Sequence, residues 1–231
     1  MAMRLTPTRR TIQSYEAQHE IYLHEWNARQ YKVPLHLHNL IARVPKAGLI
    51  LDVGCGPGQD TRYLRRQGFH VCGADLTWSF LQAAKARAPR LPVVQADMRR
   101  LPFPLQTFDG IWAAASIIHL PKVQARTLLR KLFKLTKPGG WLALTVMYGR
   151  EVGVPRQQWI AGRYLAKWFK RELRHAVQTA AWDVCSIERV THQERKGAWI
   201  NVLATRSGRE KNCLVVRQVS GRDGGVRRTR S

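Results

Sequence analysis

The chain has 231 residues, 45% of them hydrophobic, enough to bury one α/β domain with a small appendage. No run of about 18 apolar residues occurs, so no membrane span is expected, and the arginines of MAMRLTPTRRT lack the following apolar stretch of a secretory signal. Lys and Arg outnumber Asp and Glu by 39 to 15, a formal charge of +24 that favours polyanions, although a merely solvated basic surface explains it as well.

The cysteines Cys55, Cys72, Cys185 and Cys213 are scattered, with no CxxC pair. Neither a zinc site nor a disulfide framework is indicated, and a reducing, cytoplasmic setting fits.

Residues 11–31 place Ile12, Tyr15, Tyr22 and Trp26 near helical spacing and predict a leading amphipathic helix within an N-terminal segment, 1–47. After Pro34 and Pro45, apolar strands are expected at 49–54, 71–76, 93–97, 110–116 and 141–146, with helices over 59–67, 78–88 and 123–135. Pro138-Gly139-Gly140 reads as the turn entering the fifth strand. A helix over 157–180 follows, then strands at 182–190 and 198–205 around a short basic turn at Lys196-Gly197. Apolar strands separated by amphipathic helices imply a doubly wound, mostly parallel sheet with helices on both faces, spanning 48–205. From Arg206 to Ser231, eight basic and two acidic residues surround a single apolar cluster, which predicts a flexible basic tail.

The first strand ends in Asp52-Val53-Gly54-Cys55-Gly56-Pro57-Gly58. In a doubly wound sheet, ligands sit beyond the carboxyl ends of the strands at such a loop, where helix N–H groups receive anions. A dinucleotide fingerprint requires glycine at position 59, which is Gln59, and an anionic Asp52 suits an ammonium group better than a pyrophosphate. Asp75 ends the second strand, twenty-one residues after Gly54, where ribose hydroxyls are held. Asp97 ends the third strand and is followed by Met98, together an acceptor and an apolar surface for a base. A ligand with an amino-acid end, a ribose and an adenine is S-adenosylmethionine. Plainer readings stand beside these: the glycines as a tight turn, Asp75 and Asp97 as caps.

At this point the chain resembles the class I S-adenosylmethionine-dependent methyltransferases of the domain 11/25 type. The matching blocks are DVGCGPG (52–58), GADLT (73–77), ADMRRLPF (96–103), FDGIWAAASIIHL (108–120) and KPGGWLAL (137–144), in family order. SYEAQHEIY (14–22) resembles the aromatic helix that lids the cofactor, and WINVLAT (199–205) the final strand. The resemblance implies a Rossmann-like seven-stranded sheet whose last strand inserts antiparallel. It also implies S-adenosylmethionine as cofactor: Gly54, Cys55, Gly56 and Gly58 along its methionine, with Asp52 near the ammonium. Asp75 would hold the ribose, Leu76, Asp97 and Met98 would meet the adenosine, and Ala113 and Ser116 would face the sulfonium. Ala113 to Ala115 are equally suited to close packing in a buried strand.

Methyl transfer is an in-line displacement at an activated carbon, so the protein aligns the nucleophile and, for some acceptors, removes a proton. His119 is the histidine nearest the reaction site and a candidate base, with Tyr15 a second candidate that serves equally to pack the leading helix. No metal-ligand cluster is visible; His36 and His38 lack further partners. Between 149 and 174, seven basic and two acidic residues alternate with Trp159, Tyr164, Trp168 and Phe169, a pattern that could bind phosphates and stack bases. Helical spacing of Ala161, Leu165, Phe169, Leu173, Val177 and Ala180 explains the apolar members without any ligand. A small-molecule acceptor is therefore expected first. An RNA acceptor of the wobble-uridine type comes second and a non-catalytic cofactor-binding scaffold last; the oligomeric state is left open.

Overall fold

Strand β1 (Leu49–Val53) organises the sheet, with four of its five residues buried. A strand hydrophobic on both faces needs cover on both, which parallel sheets obtain from crossover helices. It pairs in parallel with β2 (His70–Asp75) on one side and β4 (Phe108–Ala114) on the other. Beyond these lie β3 (Val93–Gln95) and β5 (Thr136–Met147), both parallel. A separate short ribbon pairs β6 (Val152–Gly153) with β7 (Leu165–Ala166). The late strands β8 (Asp183–His192) and β9 (Arg195–Thr205) complete the order β3-β2-β1-β4-β5-β9-β8, with β9 antiparallel to both neighbours. This is the seven-stranded, Rossmann-like arrangement that the sequence implies. The computed structural model describes residues 5–28, 31–156, 158–192 and 195–207. The expected tail lies outside them except for Arg206 and Ser207.

The leading helix is two helices, α1 (Pro7–Ala17) and α2 (His19–Ala28). Thr6 caps the first by accepting from the Arg9 N–H, and Pro7 occupies the first turn, where its missing N–H costs nothing. The break falls at Gln18, whose side-chain amide pairs with both backbone groups of Ala161 (2.9 and 3.0 Å). A third helix, α3 (Leu35–Ile41), was not expected from the sequence. Its seven residues bury Leu37 and Leu40 completely, and the His36 ring nitrogen Nε2 meets the Val202 carbonyl at 2.9 Å. Burial lowers the His36 pKa to about 4, so the ring is neutral at pH 7.

Helices α4 (Gln59–Arg66), α5 (Trp78–Arg87) and α6 (Lys122–Leu135) lie where the periodicity places them. The expected helix over 157–180 is helical only as α7 (Lys170–Thr179). The residues before it run through the β6–β7 ribbon, with a left-handed Gly162 at φ 84° between the strands. Leu173, Val177 and Ala180 are buried as the helical pattern requires, whereas Ala161 is exposed and belongs to a loop. Pro138-Gly139-Gly140 lies within β5, where Gly139 donates to the Arg206 carbonyl (2.7 Å) and Arg206 donates to Gly140 (2.9 Å). The Arg206 guanidinium also donates to the carbonyls of Phe133 and Thr136.

Alternation along the strands splits the core in two. Ile50, Trp112, Ala143 and Leu203 pack with α3 and α4 through Leu37, Leu40 and Leu64. Leu51, Ile111, Leu144 and Val202 pack with α6 and α7 through Leu128, Leu132, Leu173 and Val177. Trp182, just after α7, ties the second layer by donating its indole N–H to the Leu129 carbonyl (3.0 Å). Among the described residues no helix is long and apolar enough to cross a membrane. Leu37→Ala is expected to destabilise the chain by about 2–5 kcal/mol in chemical denaturation, the cost of a cavity in a close-packed core; a surface-like change within about 0.5 kcal/mol would show that α3 does not cover the sheet.

Candidate cofactor and acceptor site

The glycine loop leaves β1 with three left-handed residues, Gly54 (φ 73°), Gly56 (φ 53°) and Gly58 (φ 75°). Gly54 has a second constraint, because a Cβ there would stand 2.4 Å from the Ser116 Cβ. Only glycine lets the loop approach the end of β4 this closely. Gly54 and Cys55 both donate to the Ala74 carbonyl, which hangs the loop on β2.

Asp75 then fixes two loops at once. Its Oδ2 accepts from the Gly56 N–H and its Oδ1 from the Thr77 N–H, each at 2.8 Å. Burial raises the Asp75 pKa and the bonds from Thr77 and Gly56 pull it back. The Thr77 side chain and the Leu76 N–H also bond to it and pull the same way.

The other two acids are differently engaged. Asp52 is 3% exposed and accepts the Thr61 hydroxyl at 2.6 Å, so it braces α4 from beneath the loop. Burial, followed by the charges of Asp60 and Asp75, pushes its carboxyl well up. Asp97 caps the single turn Met98–Arg100 and is gripped by the Arg99 side chain, at 2.6 Å to Nη2. Partial burial works to raise its pKa, but the Arg99 hydrogen bonds prevail and hold it below the usual carboxylate range. Met98 packs against the core, Ala113 is fully buried within it, and the Cys55 thiol is buried under the loop with its pKa raised. The capping reading of Asp97 and the packing reading of Ala113 thus describe what these side chains touch.

Helix α1 closes over the strand ends. The Glu16 carboxylate accepts from the N–H groups of Trp78 (2.6 Å) and Ser79 (3.3 Å), capping α5 from outside. Between α1 and the ends of β2 and β3 lies a cleft of about 490 Å³ lined by Arg9, Ile12, Glu16, Leu76, Gln95 and Arg99. The Tyr22 hydroxyl stands 4.0 Å from where a Gly56 Cβ would be, and its ring packs on Phe80 and stacks on Trp159.

Tyr15 and His119, the two catalytic candidates, are brought together, with the Tyr15 hydroxyl 3.0 Å from His119 Nε2. His119 Nδ1 meets the Tyr164 carbonyl at 3.0 Å. A carbonyl only accepts, so the proton is assigned to Nδ1, and Nε2 accepts from the tyrosine. Burial first, then the Arg163 charge, lowers the His119 pKa to about 4 despite the carbonyl bond. Burial also raises the Tyr15 hydroxyl, with Arg163 pulling the other way. Arg163 Nη1 donates to that same hydroxyl at 3.0 Å.

Sequence reasoning passed over Arg163, Glu16, Gln18 and Thr11, the last accepting from the Tyr164 N–H at 2.9 Å. Their partners lie far away in sequence, and no local pattern marks them. Among the described residues no group of three or more potential metal ligands occurs.

Residues 50–140 match the model of a methyltransferase domain. The malonyl-[acyl-carrier protein] O-methyltransferase of Enterobacter lignolyticus is 32% identical over 124 residues, covering 53% of this chain and 49% of that protein. A trans-aconitate 2-methyltransferase of Paracidovorax citrulli is 34% identical over 139 residues, 56% of this chain and 53% of that one. The chain spans about half the length of the curated relatives it matches. The Burkholderia thailandensis 1,6-didemethyltoxoflavin-N1-methyltransferase, solved with its substrate and S-adenosylhomocysteine, superposes with a TM-score of 0.69 at 18% identity. That match covers 90% of this chain and 94% of the other. The Synechocystis magnesium protoporphyrin IX methyltransferase with bound S-adenosylmethionine gives 0.69 at 15% identity, over 90% of this chain and all of that one (100%). Residues 50–140 are thus similar to methyltransferase domains, and the chain shares its fold with solved methyltransferases that hold S-adenosylhomocysteine or S-adenosylmethionine.

The residues present fit such a cofactor. The Ser116 Oγ is buried beside Gly54 without a hydrogen-bond partner, and the Asp75 carboxylate lies against the loop. Asp75→Ala is expected to lower S-adenosylhomocysteine affinity about 100-fold or more in calorimetry, since two charge-assisted bonds are lost; unchanged affinity in a folded variant would remove Asp75 from the site. His119 is neutral far below pH 7, so cofactor affinity is expected to stay flat from about pH 8 to 6 and fall near pH 4, when an imidazolium beside Arg163 would break the Tyr15 bond. A titration step near pH 6.5 would contradict the burial of this ring.

Proposed function

We propose that this chain is an S-adenosylmethionine-dependent methyltransferase acting on a small-molecule acceptor. The observation that carries the reading is the junction at Asp75, a carboxylate that joins the glycine loop to the start of α5 at the strand ends. Gly54, Cys55, Gly56 and Gly58 hold the amino-acid end of the cofactor, and Asp75 holds its ribose. Leu76 and the cleft beneath α1 take the adenine, with Ser116 facing the sulfonium side. Asp52 acts through Thr61 by bracing the loop, while Asp97, Met98 and Ala113 shape the surrounding wall. The cofactor supplies a methyl group on a cationic sulfur. The protein therefore needs chiefly to exclude water and align the acceptor.

Tyr15 and His119 fit the aligning role. Both imidazole nitrogens are engaged, so His119 orients the Tyr15 hydroxyl, and the aromatic wall of Tyr22, Phe80 and Trp159 closes beside them. The names of two relatives point to small acyl or organic-acid acceptors, malonyl and trans-aconitate. An RNA acceptor is not favoured, because two aromatic members of the basic segment are already engaged within the fold. Trp168 is fully buried and Trp159 is stacked on Tyr22.

Incubating the full chain with labelled S-adenosylmethionine and a host extract tests the reading. Label is expected in the small-molecule fraction. Nuclease-sensitive label in RNA would overturn the acceptor class, and absence of both transfer and S-adenosylhomocysteine binding would overturn the enzyme.

A further inference from the structure

Among the described residues, Arg163 is a buried cation with no acid paired to it. It is only 7% exposed, although arginine is rarely buried unless paired. None of the ion pairs among the described residues includes it. Its partners are neutral: Nη1 donates to the Tyr15 hydroxyl (3.0 Å) and Nε to the Ile160 carbonyl (3.1 Å). Two rings flank the guanidinium, with centroids 5.4 Å away at Tyr15 and 5.3 Å at Trp159. Neutral acceptors and ring faces hold a guanidinium in place but leave its charge uncompensated, which is costly away from water. Its fork has five N–H groups, of which these bonds use two.

The position of Arg163 gives the charge a purpose. It is bonded to the tyrosine that the site reading places against the acceptor, and its field reaches both Tyr15 and His119. Holding it there takes an elaborate setting. The left-handed Gly162 lies against Ser14 so closely that a Cβ would meet Oγ at 2.6 Å, and Gln18 clamps Ala161. A guanidinium fixed on such a frame loses little side-chain freedom on binding a planar anion and can present two parallel N–H groups to it.

We propose that Arg163 is the acceptor-binding residue of this enzyme and that the acceptor carries a carboxylate, which pairs with the free N–H groups of the guanidinium. This rests on the methyltransferase reading and narrows its acceptor. The carboxylate belongs either to a free organic acid or to an acyl group carried on a thioester. Both present the same planar anion, and Arg163 reads that group rather than its carrier.

The test uses the full chain with saturating S-adenosylmethionine. Succinate and citrate serve as free acids and malonyl-coenzyme A as the thioester-borne carboxylate, with succinamide and acetyl-coenzyme A as uncharged counterparts. Methyl transfer, or calorimetric binding to the complex with S-adenosylhomocysteine, is expected for at least one carboxylate probe and not for its uncharged counterpart. The free-acid and thioester arms tell which source the site accepts. Arg163→Gln is expected to raise KM for that probe roughly 30-fold or more, the loss usual for one partner of a buried charge pair, with kcat changed far less. Arg163→Lys should restore part of the loss, as a point charge without the planar fork.

S-adenosylhomocysteine affinity, measured separately, is expected to be unchanged in both variants. Failure of wild type to bind it would bring down the methyltransferase reading and this proposal together. Normal cofactor binding with no preference for any carboxylate probe over its counterpart would overturn the proposal alone. So would an unchanged KM in Arg163→Gln. Should that variant unfold, the wild-type comparison of charged and uncharged probes decides the matter.

Discussion

Two N–H groups from different loops end on one carboxylate: Gly56, after β1, and Thr77, after β2, both donate to Asp75. The rest of the site depends on this junction. The loop after β1 has three left-handed glycines in five residues and little intrinsic preference for one shape. Bonds to a charged acceptor are each worth about 1.5–3 kcal/mol, which is enough to select one conformation from that freedom. With the loop pinned, its N–H groups and the start of α5 keep a fixed separation. That separation is what a cofactor reaching from one strand end to the next requires. Asp75 therefore serves as the scaffold of the loop that the proposed cofactor would meet.

The lid is built on the same economy of acceptors. α1 carries Glu16 onto the N-terminus of α5 and Tyr15 onto His119, so one helix is tied to both sides of the strand ends. Gln18 and Thr11 add bonds to the loop before β7. These contacts are polar and specific, whereas α2 buries no residue completely. A segment fastened by a few directional bonds, with little apolar burial, opens at lower cost than the sheet it covers. The geometry thus suits a cover that must admit a ligand and then exclude water from it.

The sheet was legible because its signals are local. The apolar run before Gly54 can only be a buried strand, and helices α4, α5 and α6 follow their periodicity to within a residue or two. The acids at 52, 75 and 97 were all found, but the sequence does not reveal which lone pairs the fold itself consumes. Thr61 bonds to Asp52 and Arg99 to Asp97, whereas Asp75 joins the glycine loop to the start of α5. α3 was missed because seven residues between prolines are too few to display a period. The helix expected at 157–180 failed for the opposite reason: the ribbon strand at Leu165–Ala166 falls by coincidence on the helical spacing that α7 continues. Arg163 was invisible because its bonding partner Tyr15 is 148 residues away.

The most conspicuous number in the sequence, a net charge of +24, says less about this site than three acids and one arginine. Asp52, Asp60 and Asp75 lie close enough for the charges of the latter two to push the Asp52 carboxyl upward. Beneath a basic exterior, the glycine loop therefore rests on a cluster of acids, in which Asp52 is pushed toward its neutral form. That suits the ammonium and sulfonium of the cofactor. Tyr15 feels Arg163 and Asp75 in opposite senses, which places it between a cationic and an anionic pole. In the proposed reaction the methyl donor would lie on the anionic side, and an acceptor drawn to Arg163 would reach across to it. Opposed poles in a region screened from water orient both partners before any bond changes, because Coulomb forces there are stronger than in solvent. Alignment is the larger part of what this reaction asks of a protein. In the proposed reading it comes from the placement of Asp75 and the buried Arg163 on either side of Tyr15.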